Sequence, residues 1–182
     1  LKAGAAELSD SDTEDMTGSL AAIVGMDCGG LFGGFAGKYN ERHPGAKIPD
    51  TNEGNIKAAA LFSNEAIDRG AMITLSSHMP NFSGTIKLEG TFANSYDGFD
   101  FTPADSYVLT GNCANQILPG GAFHEAYCAH LDVIADYAKQ VKGPVLFRPL
   151  HENTGSWFWW GKAFCDAETY KSLYKFTVEY LR

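Results

Sequence analysis

The stretch from Arg148 to Gly161 brings together the residue types that the cleavage of a sugar polymer requires. It reads RPLHENTGSWFWWG, and the apolar residues Val145, Leu146 and Phe147 come immediately before it. Glycosidic cleavage needs a carboxylic acid that protonates the bridging oxygen, and a flat aromatic ring offers a pyranose an apolar surface. Glu152 is therefore the candidate acid, and the four aromatics that begin at Trp157 are the candidate stacking rings.

Glu152 is the strongest catalytic candidate, although most Glu residues at the end of a strand are simply exposed to water. It follows a segment that is too apolar to be fully exposed, and it lies between His151 and the aromatic cluster. We therefore expect it to have partly apolar surroundings, which suit a general acid. Arg148 is expected to hydrogen-bond a carboxylate and orient it.

A zinc site made of His78, His151 and Glu152 is the alternative use of these side chains. It lacks the H-E-x-x-H spacing of helical zinc sites, and neighbours on an ideal strand point to opposite sides. The four consecutive aromatics that begin at Trp157 cannot all face one way. We expect one or two of them to line a cleft while the others pack beneath it.

Three short apolar runs, residues 20–26, 71–75 and 144–150, predict buried parallel strands. Helices are predicted between and after them. The first covers residues 53–69, with Thr51 or Asn52 as its cap and Gly70 as its stop; the second has an apolar face from Phe123 to Val141; the third begins after Asp166. This alternation is typical of a parallel α/β fold.

Polar residues follow each predicted strand: Asp27, then His78, then His151 and Glu152. In a (β/α)8 barrel the active site lies at this end of the strands, and an open doubly wound sheet binds ligands there as well. The glycine-rich residues 29–34 lack the Lys of a phosphate-binding loop, and we expect a loop without a helix there. The long segment 79–119 is expected to form cleft walls.

The composition limits the partners. The chain has 182 residues, 45% of them hydrophobic and 13% aromatic, and a net charge of −8, so we expect neither nucleic acid nor membrane insertion. No signal peptide is recognisable, and we expect a chain that is truncated at both ends. The four cysteines have no C-x-x-C spacing; both two disulfides and buried thiols are consistent with them.

At the Arg148–Gly161 run, at His78 and at the strand before Asp27, the chain resembles glycoside hydrolase family 26, and within it the β-mannanases. The resemblance implies a (β/α)8 barrel. In this chain it would be an N-terminal partial barrel that lacks strand 1 and strands 5 to 8. Residues 1–182 would then form one partial catalytic domain.

The resemblance also implies residue roles. Glu152 would be the acid/base of a retaining mechanism, with His151 beside the nucleophile, His78 at the cleavage point, Trp157 as the sugar platform and Arg148 supporting the carboxylates. The nucleophilic Glu would lie beyond this chain, so we expect residues 1–182 alone to have little or no activity.

The implied partners are a β-mannan-type polysaccharide (mannan, glucomannan or galactomannan) and the missing remainder of the barrel. No cofactor or metal is implied. A polymeric substrate indicates an extracellular or cell-surface protein. The alternatives are a mixed-linkage β-glucanase or β-1,3-xylanase of the same family, and a non-catalytic carbohydrate-binding protein.

Overall fold

A computed structural model describes residues 12–90, 94–102, 105–107 and 112–182. The expectations for residues 1–11 and for parts of the segment 79–119 lie outside this part of the chain. The central element is a three-stranded parallel sheet, made of β1 (Ile23–Asp27), β2 (Met72–Ser76) and β6 (Val145–Arg148) in the order β1-β2-β6. The three predicted strands and their parallel pairing are confirmed.

The third strand ends earlier than predicted, at Arg148 instead of Leu150. Pro149 has no backbone N–H to donate to a neighbouring strand. Leu150 has a φ of 51°, in the left-handed region that a strand cannot contain. The residues that follow β6 are therefore a turn.

The prediction that the strands are buried is correct for one face of the sheet and wrong for the other. Ile73 and Leu75 are fully buried on the face that packs against the helices. On the opposite face, Ile23, Met72 and Leu146 are 52%, 45% and 48% exposed. Side chains alternate along a strand, so one covering layer buries only every second residue.

The three predicted helices are present as α3 (Asn52–Asp68), α5 (His124–Ala138) and α6 (Ala167–Tyr180). The side chain of Thr51 caps α3 at Gly54 N–H, and the side chain of Asp166 accepts from two N–H groups of α6. α5 ends before the predicted Val141, because i→i+3 turns take over after Tyr137.

Several elements were not predicted. α1 (Asp12–Thr17) precedes β1. A 3-10 helix, Cys28–Phe32, covers part of the glycine-rich segment, and α2 (Phe35–Arg42) begins directly after it, so the expected loop without a helix is wrong. Glycine is needed at position 30, because a Cβ there would lie 2.3 Å from the ring of Phe35.

The segment 79–119 also has structure of its own. It contains a 3-10 turn (Phe82–Gly84), a short helix α4 (Cys113–Gln116) and a small antiparallel sheet. The strands of that sheet are β3 (Ile86–Lys87), β4 (Ser95–Tyr96) and β5 (Phe99–Asp100), in the order β3-β5-β4. Strands of two residues are too short for an alternating pattern to reveal them.

All four cysteines are free thiols, and three of them, Cys28, Cys113 and Cys165, are buried. The sequence left two disulfides and buried thiols as alternatives, and the structure has free thiols. Among the described residues no helix combines the length and the apolar character needed to cross a bilayer.

Candidate active site

The carboxyl ends of the three parallel strands carry a row of polar side chains. In the register of the sheet, Asp27 pairs with Ser76, and Ser76 pairs with Arg148. Because these positions are in register, the three residues lie on the same face of the sheet, the one that none of the described helices covers. His78 and His151 follow two and three residues after the ends of their strands.

Glu152 lies on the turn that follows β6, with a φ of 56°. Its carbonyl accepts from Gly155 N–H at 3.0 Å, and its carboxylate Oε2 accepts from the indole N–H of Trp157 at 2.9 Å. Glu152 is exposed, so the expected half-apolar environment is only partly present. The indole of Trp157 lies on one side of the carboxylate, and the other side is open to water.

The segment after Glu152 is a tightly bonded loop. Lys162 N–H donates to the carbonyls of Asn153 and Gly155 at 2.9 and 3.0 Å. Gly155 is buried beneath Trp157, and a Cβ there would come within 2.4 Å of the indole. A Cβ at Gly161 would likewise lie 2.4 Å from the carbonyl oxygen of Gly155. Gly155 thus allows the indole of Trp157 to approach the backbone closely, and Gly161 allows the two ends of the loop to meet.

The four consecutive aromatics divide as predicted between surface and interior. Trp157 is 47% exposed, whereas Phe158, Trp159 and Trp160 are buried. Two buried indoles anchor the loop: Trp159 donates to the carbonyl of Pro80 at 3.1 Å, and Trp160 donates to that of His151 at 2.7 Å. The indoles therefore satisfy their polar atoms while they fill the core.

His78 and His151 contact each other beside this loop. Their Nε2 atoms are 3.4 Å apart, and their rings meet edge to face at a centroid distance of 4.6 Å. The ring of Phe158 lies beneath both, at 5.4 and 5.6 Å. Partial burial, followed by the charge of His78, lowers the pKa of His151, which favours a neutral imidazole.

The zinc alternative finds no support in this arrangement. Within the described ranges no group of three or more His, Cys, Asp or Glu side chains is placed to hold a metal ion. The Glu152 carboxylate accepts from the indole of Trp157, whereas the two histidines contact each other. Glu152 is therefore held apart from the pair of histidines.

Asp27 is a site residue that the sequence analysis noted only as the end of a strand. Its Oδ2 lies 2.7 Å from His78 Nδ1 and accepts from Ser76 at 2.9 Å, while Oδ1 accepts from Gly29 N–H at 2.9 Å. Partial burial by itself would raise the pKa of Asp27. The hydrogen bonds from Gly29, His78 and Ser76 outweigh it, and the pKa is lowered.

Arg148 lies at the expected position without the expected partner. It is exposed at the end of β6, and no hydrogen bond or ion pair joins it to a carboxylate in the part of the chain that the structure describes. Its charge acts on His151, where it contributes to the lowered pKa.

Tyr107 is a second exposed ring at this site, and nothing in the sequence indicated it. The residue is 57% exposed, and its ring packs on Phe158 at 5.2 Å. The ring of Trp157 touches the same Phe158 at 6.4 Å. Two exposed aromatic rings therefore flank one buried ring that also supports both histidines.

A cavity of about 920 Å³ lies elsewhere, between β1, α2 and α3. Apolar side chains such as Val24, Phe35 and Phe62 line it together with Arg42 and Arg69. This cavity shares no residue with the row of polar side chains described above. The candidate active site therefore lies outside this cavity, at the carboxyl ends of the strands.

Comparison with known proteins identifies the family of the chain. The model of the glycosyl hydrolase family 26 matches residues 3–182. The chain belongs to glycoside hydrolase family 26. It is 36% identical over 180 residues to a mannan endo-1,4-β-mannosidase of Bifidobacterium adolescentis, an alignment that covers 96% of this chain and 15% of that protein.

Solved family 26 structures share the fold. A double mutant of the Cellulomonas fimi endo-β-1,4-mannanase matches 100% of this chain with a TM-score of 0.72 and 32% identity. The catalytic domain of the Bacillus sp. JAMB-750 endo-β-1,4-mannanase matches 96% with a TM-score of 0.74 and 30% identity. This chain covers 36% and 40% of those two chains, so its fold corresponds to a part of theirs.

Proposed function

We propose that these residues form part of the catalytic domain of an endo-β-1,4-mannanase, in which Glu152 is the general acid/base. The contact between the Glu152 carboxylate and the indole N–H of Trp157 carries this proposal. It holds a proton-transferring group at the edge of an exposed ring, as the cleavage of a glycosidic bond beside a stacked sugar requires. The named mannanase relatives support mannan as the substrate class.

The proposed reaction retains the configuration of the sugar. Glu152 protonates the leaving oxygen while a second carboxylate attacks the anomeric carbon, and the ionised Glu152 then activates water to release the sugar. The attacking group is proposed to come from a Glu outside residues 1–182. In this proposal β1, β2 and β6 are the second, third and fourth strands of the barrel, and residues 1–182 are one partial catalytic domain.

The substrate would lie along the exposed aromatic surface. Trp157 would stack against one pyranose, with Tyr107 as a neighbouring ring on the other side of Phe158. His78 and His151 would contact the sugar or the nucleophile at the cleavage point. Arg148, which lies on the open face of the sheet, would support a carboxylate supplied by the remainder of the barrel. A polysaccharide of this kind implies an extracellular or cell-surface protein.

Replacement of Glu152 in the full-length enzyme tests the proposal. Glu152→Gln keeps the shape of the side chain and an oxygen that accepts from Trp157, but it removes the transferable proton. We expect kcat on β-mannan to fall about 10²- to 10⁴-fold, the usual contribution of a general acid–base group. Glu89→Gln, an exposed carboxyl in the segment between β3 and β4, is the matched control.

The alternatives give different results in the same experiment. A mixed-linkage β-glucanase or a β-1,3-xylanase would release sugar from lichenan or β-1,3-xylan in preference to mannan. A non-catalytic binding protein would bind mannan without releasing reducing ends, and Glu152→Gln would leave its function intact. Either result contradicts a mannanase.

A further inference from the structure

The carboxylate of Asp27 has four hydrogen-bond contacts within the protein. It accepts from the hydroxyl of Ser76, from the backbone N–H of Gly29, and from both the backbone N–H and the ring of His78. Its lowered pKa means that it is ionised at neutral pH, and an ionised carboxylate has no hydrogen to donate. The hydrogen in the 2.7 Å contact with His78 must therefore lie on Nδ1 of the imidazole.

The position of that hydrogen determines what the other side of the ring can do. In a neutral His78 with its hydrogen on Nδ1, Nε2 is a bare acceptor, and it faces Nε2 of His151 at 3.4 Å. Two bare nitrogens at this distance would repel each other, so His151 must place a hydrogen on its own Nε2. Nδ1 of His151 agrees with this assignment, because it is buried and has no hydrogen-bond partner among the described residues.

The alternative tautomer of His151 is costly. With its hydrogen on Nδ1, His151 would bury a donor that has no acceptor among the described residues, and its bare Nε2 would face the bare Nε2 of His78. Burial is the largest influence on the pKa of His151, and with the effects of His78, Glu152, Arg148 and Asp27 this pKa is lowered. When His78 is also neutral, His151 donates through Nε2 to His78.

We infer that Asp27 is a positioning residue that sets the tautomers of both His78 and His151. This inference rests on the proposed function, since it concerns the same site. It has a chemical consequence whenever His78 is neutral: His78 directs its one ring hydrogen to Asp27, and His151 directs its own to His78. Neither imidazole then has a hydrogen free for the departing sugar, so proton donation falls to Glu152.

The tautomers can be measured directly on the 182-residue chain. Long-range ¹H–¹⁵N correlation spectra of the chain with ¹⁵N-labelled histidine distinguish bare from protonated ring nitrogens. At about pH 8, above the ordinary histidine pKa of about 6.5, we expect hydrogen on Nδ1 of His78 and on Nε2 of His151. Single His→Gln variants assign the five rings.

Asp27→Ala removes the acceptor, and we expect His78 to place its hydrogen on Nε2, which forces His151 to the opposite tautomer. Ser76→Ala is the matched control, because it removes one hydrogen bond from Asp27 and leaves the contact with Nδ1 intact; both tautomers should stay unchanged. Unaltered tautomers in folded Asp27→Ala would overturn the inference.

The wild-type spectrum decides the question even when Asp27→Ala does not fold. Hydrogen on Nε2 of wild-type His78 is incompatible with the inference. None of these spectra depends on turnover, so a mannanase assay that fails and a tautomer assignment that fails are separate results.

Discussion

The bond between Trp157 and Glu152 gives one side chain two tasks. The indole N–H holds the carboxylate, while the exposed ring face remains available to a sugar. Hydrogen bonding and stacking use different parts of the indole, its edge and its face. Substitutions at this single position can therefore separate the two contributions.

Trp157→Ala should weaken the binding of manno-oligosaccharides to this chain by about 1–2 kcal/mol, because one ring face of apolar contact is lost. This is roughly a 5- to 30-fold increase in Kd. Trp157→Phe keeps a ring and should lose less. Isothermal titration calorimetry with mannohexaose measures the effect, and Tyr174→Ala, an exposed aromatic on α6, is the control. Equal losses in Trp157→Ala and the control would contradict the platform.

Tyr107→Ala tests the second ring in the same titration. Its exposed ring should add a smaller contribution than the indole, and we expect a roughly two- to fivefold weaker binding of mannohexaose. Tyr174→Ala on α6 is again the control and should leave the binding unchanged. Equal losses in Tyr107→Ala and the control would contradict a contribution of this ring.

His130 affects stability through its burial. It is completely buried on α5, bonded through Nε2 to Ser77 at 3.2 Å and stacked on Phe32 at 5.0 Å. Burial lowers its pKa to about 3, below the ordinary value of 6.5. Between those values the unfolded chain binds a proton that the folded chain does not, so stability decreases as the pH falls through this range.

We expect this single group to reduce the free energy of unfolding by up to about 1.4 kcal/mol per pH unit below pH 6.5. Urea titrations between about pH 7 and 5, where most carboxylates stay ionised, would measure the slope. His130→Gln should flatten it, at some cost in stability at neutral pH. His43→Gln, at the end of α2, is the control; an equal slope in His130→Gln and wild type would rule out this origin.

At the scale of elements, the turn and loop that follow β6 set the geometry of the site. Leu150 and Glu152 both have positive φ, a conformation that costs non-glycine residues about 1–2 kcal/mol. The loop compensates through its backbone hydrogen bonds and its buried indoles. Because of these two residues, the backbone after β6 leaves the extended conformation, and the side chains there no longer alternate between the two faces of the sheet.

Gly155→Ala should move the indole away from Glu152 without unfolding the chain. The added methyl group would lie 2.4 Å from the ring of Trp157, a half-exposed side chain that has room to shift toward solvent. We expect a changed chemical shift for the Trp157 indole N–H, weaker mannohexaose binding and a nearly unchanged midpoint of thermal unfolding. Gly45→Ala, where a Cβ meets no atom within 4 Å, is the control. An unshifted indole resonance would show that the loop absorbs the methyl group.

At the scale of the whole molecule, the sheet has one face packed against helices and one open face. Ile23, Met72 and Leu146 form an apolar band on the open face, below the row of polar side chains. In a closed barrel such residues fill the interior. The proposed activity therefore depends on further strands that would cover this band and supply a second carboxylate.

The purified 182-residue chain should release no reducing sugar from β-mannan over many turnovers. A retaining mechanism needs two carboxyl groups about 5–5.5 Å apart, and the attacking group is proposed to lie elsewhere. The chain should still bind mannohexaose through Trp157. Sustained hydrolysis by this chain, abolished by Glu152→Gln, would mean that it contains its own nucleophile.

From the sequence alone one can predict the parallel strands, the three longest helices, the caps of two of these helices, and the run that contains Glu152 and Trp157. These features follow from local signals: short apolar runs, the polar residues Thr51 and Asp166 before two of the helices, and Gly70 after the first of them. It also indicated the family, because the Arg148–Gly161 run is continuous in the chain.

Which side chains contact each other depends on the tertiary structure. Asp27 and His78 are 51 positions apart, and Tyr107 reaches Phe158 from another segment, so no spacing in the sequence connects them. The open face of the sheet and the left-handed turn at Glu152 were likewise hidden, because both depend on what packs around the strands. Apolar runs report the tendency to be buried, whereas the partners of a polar group are set by the path of the chain in space.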